Sequence, residues 1–136
     1  MTRSFTALCL AVLLLVGCGG ASETAPLKEV ARVHSGDLDV VLLSAGDSLK
    51  QGKGMFVVEF HGAGGALVDV GTVTVGASMP MPGMAPMFGN CTVTPTATKG
   101  RYDVASDLGM TGTWRLSIMW NGPRGQGSAS LPATAS

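Results

Sequence analysis

The segment from Trp114 to Trp120 constrains the fold more than any other, because it alternates without a break. Trp114, Leu116, Ile118 and Trp120 fall on one face, and Arg115, Ser117 and Met119 fall on the other. Period-two alternation is the signature of a strand buried on one side only. Two indoles and two aliphatic side chains in one row need an opposing apolar layer. At about 25 cal/mol per Å2 their burial stabilises the chain by an amount comparable with the whole net stability of a small domain. The turn Asn121-Gly122-Pro123 ends this strand.

The same pattern recurs in shorter form along the chain. Residues 37–43 form an apolar run, and a polar turn closed by Gly52 and Gly54 leads to residues 55–60, where Phe56, Val58 and Phe60 share a face. The loop His61-Gly62-Ala63-Gly64-Gly65 reverses the chain into residues 67–75, with Val73 and Val75 opposite Thr72 and Thr74. Pro80, Pro82 and Pro86 remove ladder donors, so the stretch 79–87 is a loop and not a central strand. Residues 91–96 set Cys91 and Val93 against Thr92 and Thr94, residues 100–105 place Tyr102 with Val104, and residues 126–131 follow the Arg124-Gly125 turn. Charged residues make up 13% of the chain and glycines number 20, a balance that favours strands and tight turns over helices. The expected fold is all-β, an immunoglobulin-like antiparallel β-sandwich of about seven strands, with a barrel as its main rival.

The N-terminus has a different logic. Arg3 and the apolar run 5–16, ending in Gly17, have the three parts of a signal peptide over residues 1–17 and are too short to span a bilayer. Leu15-Val16-Gly17-Cys18 resembles the lipobox of bacterial lipoproteins, which implies that Cys18 is acylated and becomes the first residue of the mature chain. Residues 18–35 read as a flexible tether, 36–131 as the domain and 132–136 as a frayed tail. The implied location is the cell envelope, lipid-anchored and facing the periplasm or the cell surface. Gly19 in place of Asp favours the outer membrane in a Gram-negative cell. The whole chain has zero formal charge, and loss of Arg3 with residues 1–17 leaves minus one. With no basic run, the chain has no electrostatic footprint for nucleic acid. Of three cysteines, Cys9 leaves with the signal and Cys18 carries lipid, so Cys91 has no intrachain partner and no disulfide framework exists.

Several motifs together are similar to those of the YtkA-like family of exported, immunoglobulin-like domains, related in pattern to FixH, an accessory protein of copper-containing oxidases. They are Ser35-Gly36-Asp37-Leu38, the loop Met79-Pro80-Met81-Pro82-Gly83-Met84, Gly100-Arg101-Tyr102, and Leu108-Gly109-Met110-Thr111-Gly112-Thr113-Trp114. The chain departs from the family pattern in lacking an asparagine near Gly54 and a histidine among the methionines. The resemblance implies metal handling or an assembly role beside envelope transport or oxidase components.

Met79, Met81, Met84 and Met87 lie within nine residues, and Met110 precedes the Trp114 strand. Thioethers are soft donors that suit Cu(I), and the Cys91 thiol is a candidate to complete a mixed site. The competing reading is that the methionines plug an open end of the fold and that Cys91 is a small buried hydrophobe. His34 reads as a tether residue and His61 as a turn residue. Asp103 and Asp107 flank a strand without any nucleophile or base, and no nucleophile elbow, P-loop or dinucleotide fingerprint occurs, so no enzymatic activity is expected. Two functions stay open: binding or delivery of a soft metal such as Cu(I), and a metal-independent module that docks on an envelope protein partner.

Overall fold

The computed structural model describes residues 26–136, so the expected signal peptide over residues 1–17 and the expected lipidation at Cys18 lie outside the described residues. Eight strands follow one another: β1 (Lys28–Ser35), β2 (Leu38–Ser44), β3 (Gly52–His61), β4 (Thr72–Met79), β5 (Met87–Pro95), β6 (Arg101–Leu108), β7 (Gly112–Gly122) and β8 (Gly125–Ala135). They hydrogen-bond in the order β1-β2-β3-β6-β5-β4-β7-β8, each neighbouring pair antiparallel. β1 then comes to lie beside β8, where the Ser35 hydroxyl donates to the Ser128 carbonyl at 3.2 Å. At the other end of β8, Leu49 forms a parallel bridge with Ala135. Its N–H donates to the Thr134 carbonyl at 2.8 Å, and its own carbonyl accepts from Ser136 N–H at 3.0 Å.

The result is a single, nearly closed eight-stranded antiparallel barrel, which overturns the expected seven-stranded immunoglobulin-like sandwich. The discriminating feature is β5. Met87, Phe88 and Gly89 pair with Met79, Ser78 and Ala77 of β4, and from Asn90 to Pro95 the same strand pairs with β6. Two sheets that a sandwich would keep apart are thereby joined through one strand. Gly89 fits the crowded changeover, since a Cβ there would stand 2.8 Å from Leu108 Cδ2, 3.2 Å from the Asp107 carbonyl oxygen and 3.3 Å from Ala77 Cβ. Glycine at a tight barrel corner is an expected use of that residue. Alternation alone says which side chains point inward and not which strand lies next to which, so it serves sandwich and barrel equally.

Two boundaries also shift. The supposed tether contains β1, and its Val30, Ala31 and Val33 pack against the core. A bulge between Glu29 and Ala31 breaks the period there, and the outward polar side chains pair within β1 and with Asp39 of β2. Arg32 reaches Glu29 at 2.9 Å and Asp39 at 3.0 Å, and His34 Nδ1 lies 2.7 Å from Asp39. The supposed tail is the end of β8, where Leu131, Ala133 and Ala135 are buried between exposed Pro132 and Thr134. Pro132 is tolerated because β8 ends the hydrogen-bonded order.

The interior is filled by side chains, as a barrel of this size requires. Trp114, Leu116 and Ile118 are fully buried, and Phe60 meets Trp120 and Tyr102 edge-on with ring centroids 5.3 and 5.7 Å away. The Trp114 indole N–H donates to the Met110 carbonyl at 3.0 Å. Because all pairs are antiparallel, the connections collect at two ends. One end carries the segments 45–51, 80–86 and 109–111 together with Pro26 and Ser136; the other carries the turns at 36–37, 62–71, 96–100 and 123–124.

Candidate functional site

Met79 closes β4 and Met87 opens β5 directly opposite it, so the proline-rich loop between them spans a single ladder rung at the barrel end. Alternation sends both side chains inward: Met79 is buried and Met87 half-buried against the core. The segment 109–112 folds over them, placing Met79 Sδ 3.9 Å from the Cβ position of Gly112 and Met87 Sδ 3.7 Å from that of Gly109. Their sulfurs are thus engaged in packing. Met81 is half-buried after the Met79 rung, and Met84 N–H donates to the Met81 carbonyl at 3.2 Å, closing the turn that turns Met84 outward. Met84 is 65% exposed, Met110 41% and the neighbouring Phe88 76%.

This arrangement separates the candidate ligands of the expected copper site. The five methionines share one end of the barrel, but two serve as its plug while Met84 and Met110 face out. Cys91 does not join them. It sits four residues beyond Met87 on the same strand face, roughly 13 Å along the strand, with Gly89 between. Its side chain packs against the core and burial pushes its thiol pKa up, which disfavours the thiolate that binds metal. Among the described residues, no three His, Cys, Asp or Glu side chains come together in a metal-holding group. Phe88, which sequence reasoning missed, becomes visible once β5 is started at Met87, because inward Met87, Gly89 and Cys91 leave Phe88 and Asn90 outward.

The opposite end is polar and charged. Glu59, nearly buried on β3, accepts from Arg101 Nη1 at 2.8 Å and lies 2.9 Å from His61 Nε2. The other ring nitrogen, Nδ1, is 2.8 Å from the Gly65 carbonyl. A carboxylate and a carbonyl both accept, so the ring serves both partners best as an imidazolium. The Gly65 carbonyl first, and then the Glu59 carboxylate, raise the His61 pKa against the opposing effect of burial. His61, placed in a turn by sequence, is therefore the clasp of the 62–66 loop, and Asp103 and Asp107 lie apart from it on β6. A folded-state pKa raised above the ordinary value contributes stability that is full below about pH 6.5 and is lost as pH rises through the folded value. Urea unfolding of the wild type and of His61→Gln should therefore differ most in mildly acid buffer and converge above neutrality. A gap that widens with pH would refute the clasp.

Comparison with curated proteins and with solved structures gives no match. The family comparison covers most of the barrel, from Arg32 in β1 to Met119 in β7, and so includes the methionine end, the corner at Gly89 and the Glu59 clasp. With its family profile matched over residues 32–119, the chain belongs to the YtkA-like family.

Proposed function

We propose that this chain is a non-enzymatic docking domain of the cell envelope, held there by lipid on Cys18 and working through the methionine end of its barrel without metal. Membership of the YtkA-like family supports the envelope location. The observation that carries the docking reading is the exposure of Met84, Phe88 and Met110 on one end of a barrel whose other large apolar side chains, Met55 and Met119 apart, are inward or half-covered. Scattered single apolar residues are ordinary on a protein surface; three large ones at one end of the fold, on the 80–86 loop, the start of β5 and the 109–111 segment, support an interaction site there. Methionine suits such a surface because its unbranched thioether adapts to the partner's contour. An envelope transport or oxidase complex is the protein partner that the family context suggests.

Two measurements test the parts separately. Mass spectrometry of membrane-extracted protein should give an N-terminal peptide beginning at diacylated Cys18, and Cys18→Ser should leave unprocessed precursor or a released form; an unlipidated N-terminal peptide refutes the anchor. Replacing Met79, Met81 and Met84 together by Leu keeps the apolar volume and removes three thioethers, so folding and docking should survive at a cost below about 1.5 kcal/mol per site. Cu(I) titration against a competing chelator should then be the same for the wild type and the Leu variant. Tight uptake by the wild type that the variant loses would overturn the metal-independent reading.

A further inference from the structure

We propose that the methionine end of the barrel rests on the surface of the bilayer that anchors the chain, with Met84 and Phe88 as the side chains that enter the lipid interface. This rests on the lipid anchor and on the exposed side chains of the docking reading, and names the bilayer as what they meet in place of a protein. The first support is where the chain leads. Lys28 opens β1 at the methionine end, paired with Ser44 and bonded to Asp47 at 2.8 Å, so Pro26 emerges at that end and not the other. Eight residue steps separate Pro26 from Cys18, at most about 29 Å even when fully extended. An anchor at Cys18 therefore enters the barrel at the methionine end and holds that end nearer the membrane than the Arg124 turn. β8 alone, eleven residues long, sets the two ends roughly 36 Å apart along the strand.

The second support is the chemistry of that end. No charged residue occurs between Val70 and Thr98, or between Leu108 and Trp114, so the 80–86 loop, the start of β5 and the 109–111 segment, which bear Met81, Met84, Phe88 and Met110, carry no ionic group to desolvate; charges at this end, Lys28, Asp47, Lys50 and Lys53, sit on β1, the 45–51 segment and β3. The opposite end holds Asp37, Arg124, Glu59, His61 and Arg101, for which a lipid interface would be costly. Two or three inserted side chains bind a membrane only weakly by themselves. A lipid tether of this length makes their insertion intramolecular, so weak insertion suffices to fix orientation.

The test uses the full-length lipidated chain, reconstituted in liposomes of phosphatidylethanolamine and phosphatidylglycerol. A photoreactive benzoylphenylalanine replaces Met84, Phe88 or Arg124, all exposed positions that leave the core untouched. Irradiation should give lipid adducts at 84 and 88 and only background at 124, and Met84→Asp should reduce the adduct at 88 several-fold. Equal yields at all three positions, or none at 84 and 88 in protein whose Cys18 carries lipid, overturn the membrane contact while leaving the docking reading intact. Irradiation in cells that joins position 88 to a protein and never to lipid does the same in favour of a protein partner. Absence of lipid on Cys18 in that sample overturns the anchor and this inference together.

Discussion

Trp114→Ala lowers the unfolding free energy by about 3 to 5 kcal/mol, enough to leave a barrel of this size unfolded or barely folded. The indole is completely buried, packs in the inward row with Leu116 and Ile118, and ties β7 to the 109–111 segment through its N–H to Met110. Truncation leaves a cavity the surrounding strands can only partly close, and it removes the bond that seats the segment over Met79 and Met87. Arg115→Ala, outward on the same strand, should change stability by less than about 0.5 kcal/mol. Chemical denaturation of both variants decides the matter, and equal small losses would place the row on the wrong side of the barrel wall.

Gly71→Ala should be nearly as damaging, by roughly 2 to 5 kcal/mol, for a reason that has nothing to do with apolar burial. Gly71 has φ of +82°, and a Cβ there would stand 2.5 Å from the Asn121 carbonyl oxygen and 2.6 Å from Gly122 Cα. Backbone of β7 passes directly over the entry to β4, and the Tyr102 hydroxyl donates to the Gly71 carbonyl at 2.7 Å, pinning the crossing. Gly64→Ala, in open space on the 62–66 loop, is the matched control and should be close to neutral. Similar thermal midpoints for the two variants would show that the crossing is not as close as described.

The strands were legible wherever large side chains alternate: the Trp114 row, Phe56 with Phe60, and Tyr102 with Val104 all point inward as their spacing requires. Legibility failed where the inward residues are small or a bulge interrupts the period, as with Ala133 and Ala135 in β8 and Ala31 in β1. The neighbour relations were not legible at all, because the turn of β5 from β4 to β6 depends on the absence of one side chain at Gly89 against Leu108 and Ala77, which come from distant parts of the chain. At the site, the sequence identified the methionines as a group but could not divide them into plug and surface. That division follows from the rung Met79–Met87, which turns both inward and leaves Met84 on the loop they bracket. The Glu59 clasp escaped notice because its three members are brought together by the pairing of β3 with β6.

The seam between β1 and β8 also sets the order in which the barrel is completed. Ser35 and Ser128 are 93 residues apart in sequence yet hydrogen-bonded across the closing edge, and Ser48 of the 45–51 segment, 88 residues from Ser136, bonds to it at the end of β8. Neighbouring strands such as β1 and β2 or β7 and β8 zip locally, whereas this closure has the longest loop entropy to overcome and contributes to a high contact order and slow folding. As the chain is synthesised, with the N-terminal end emerging first, β1 waits unpaired on one side until the final strand is complete. Over that interval the open edge of β1 is guarded by its exposed charges, Lys28, Glu29 and Arg32, which disfavour edge-to-edge pairing with another chain.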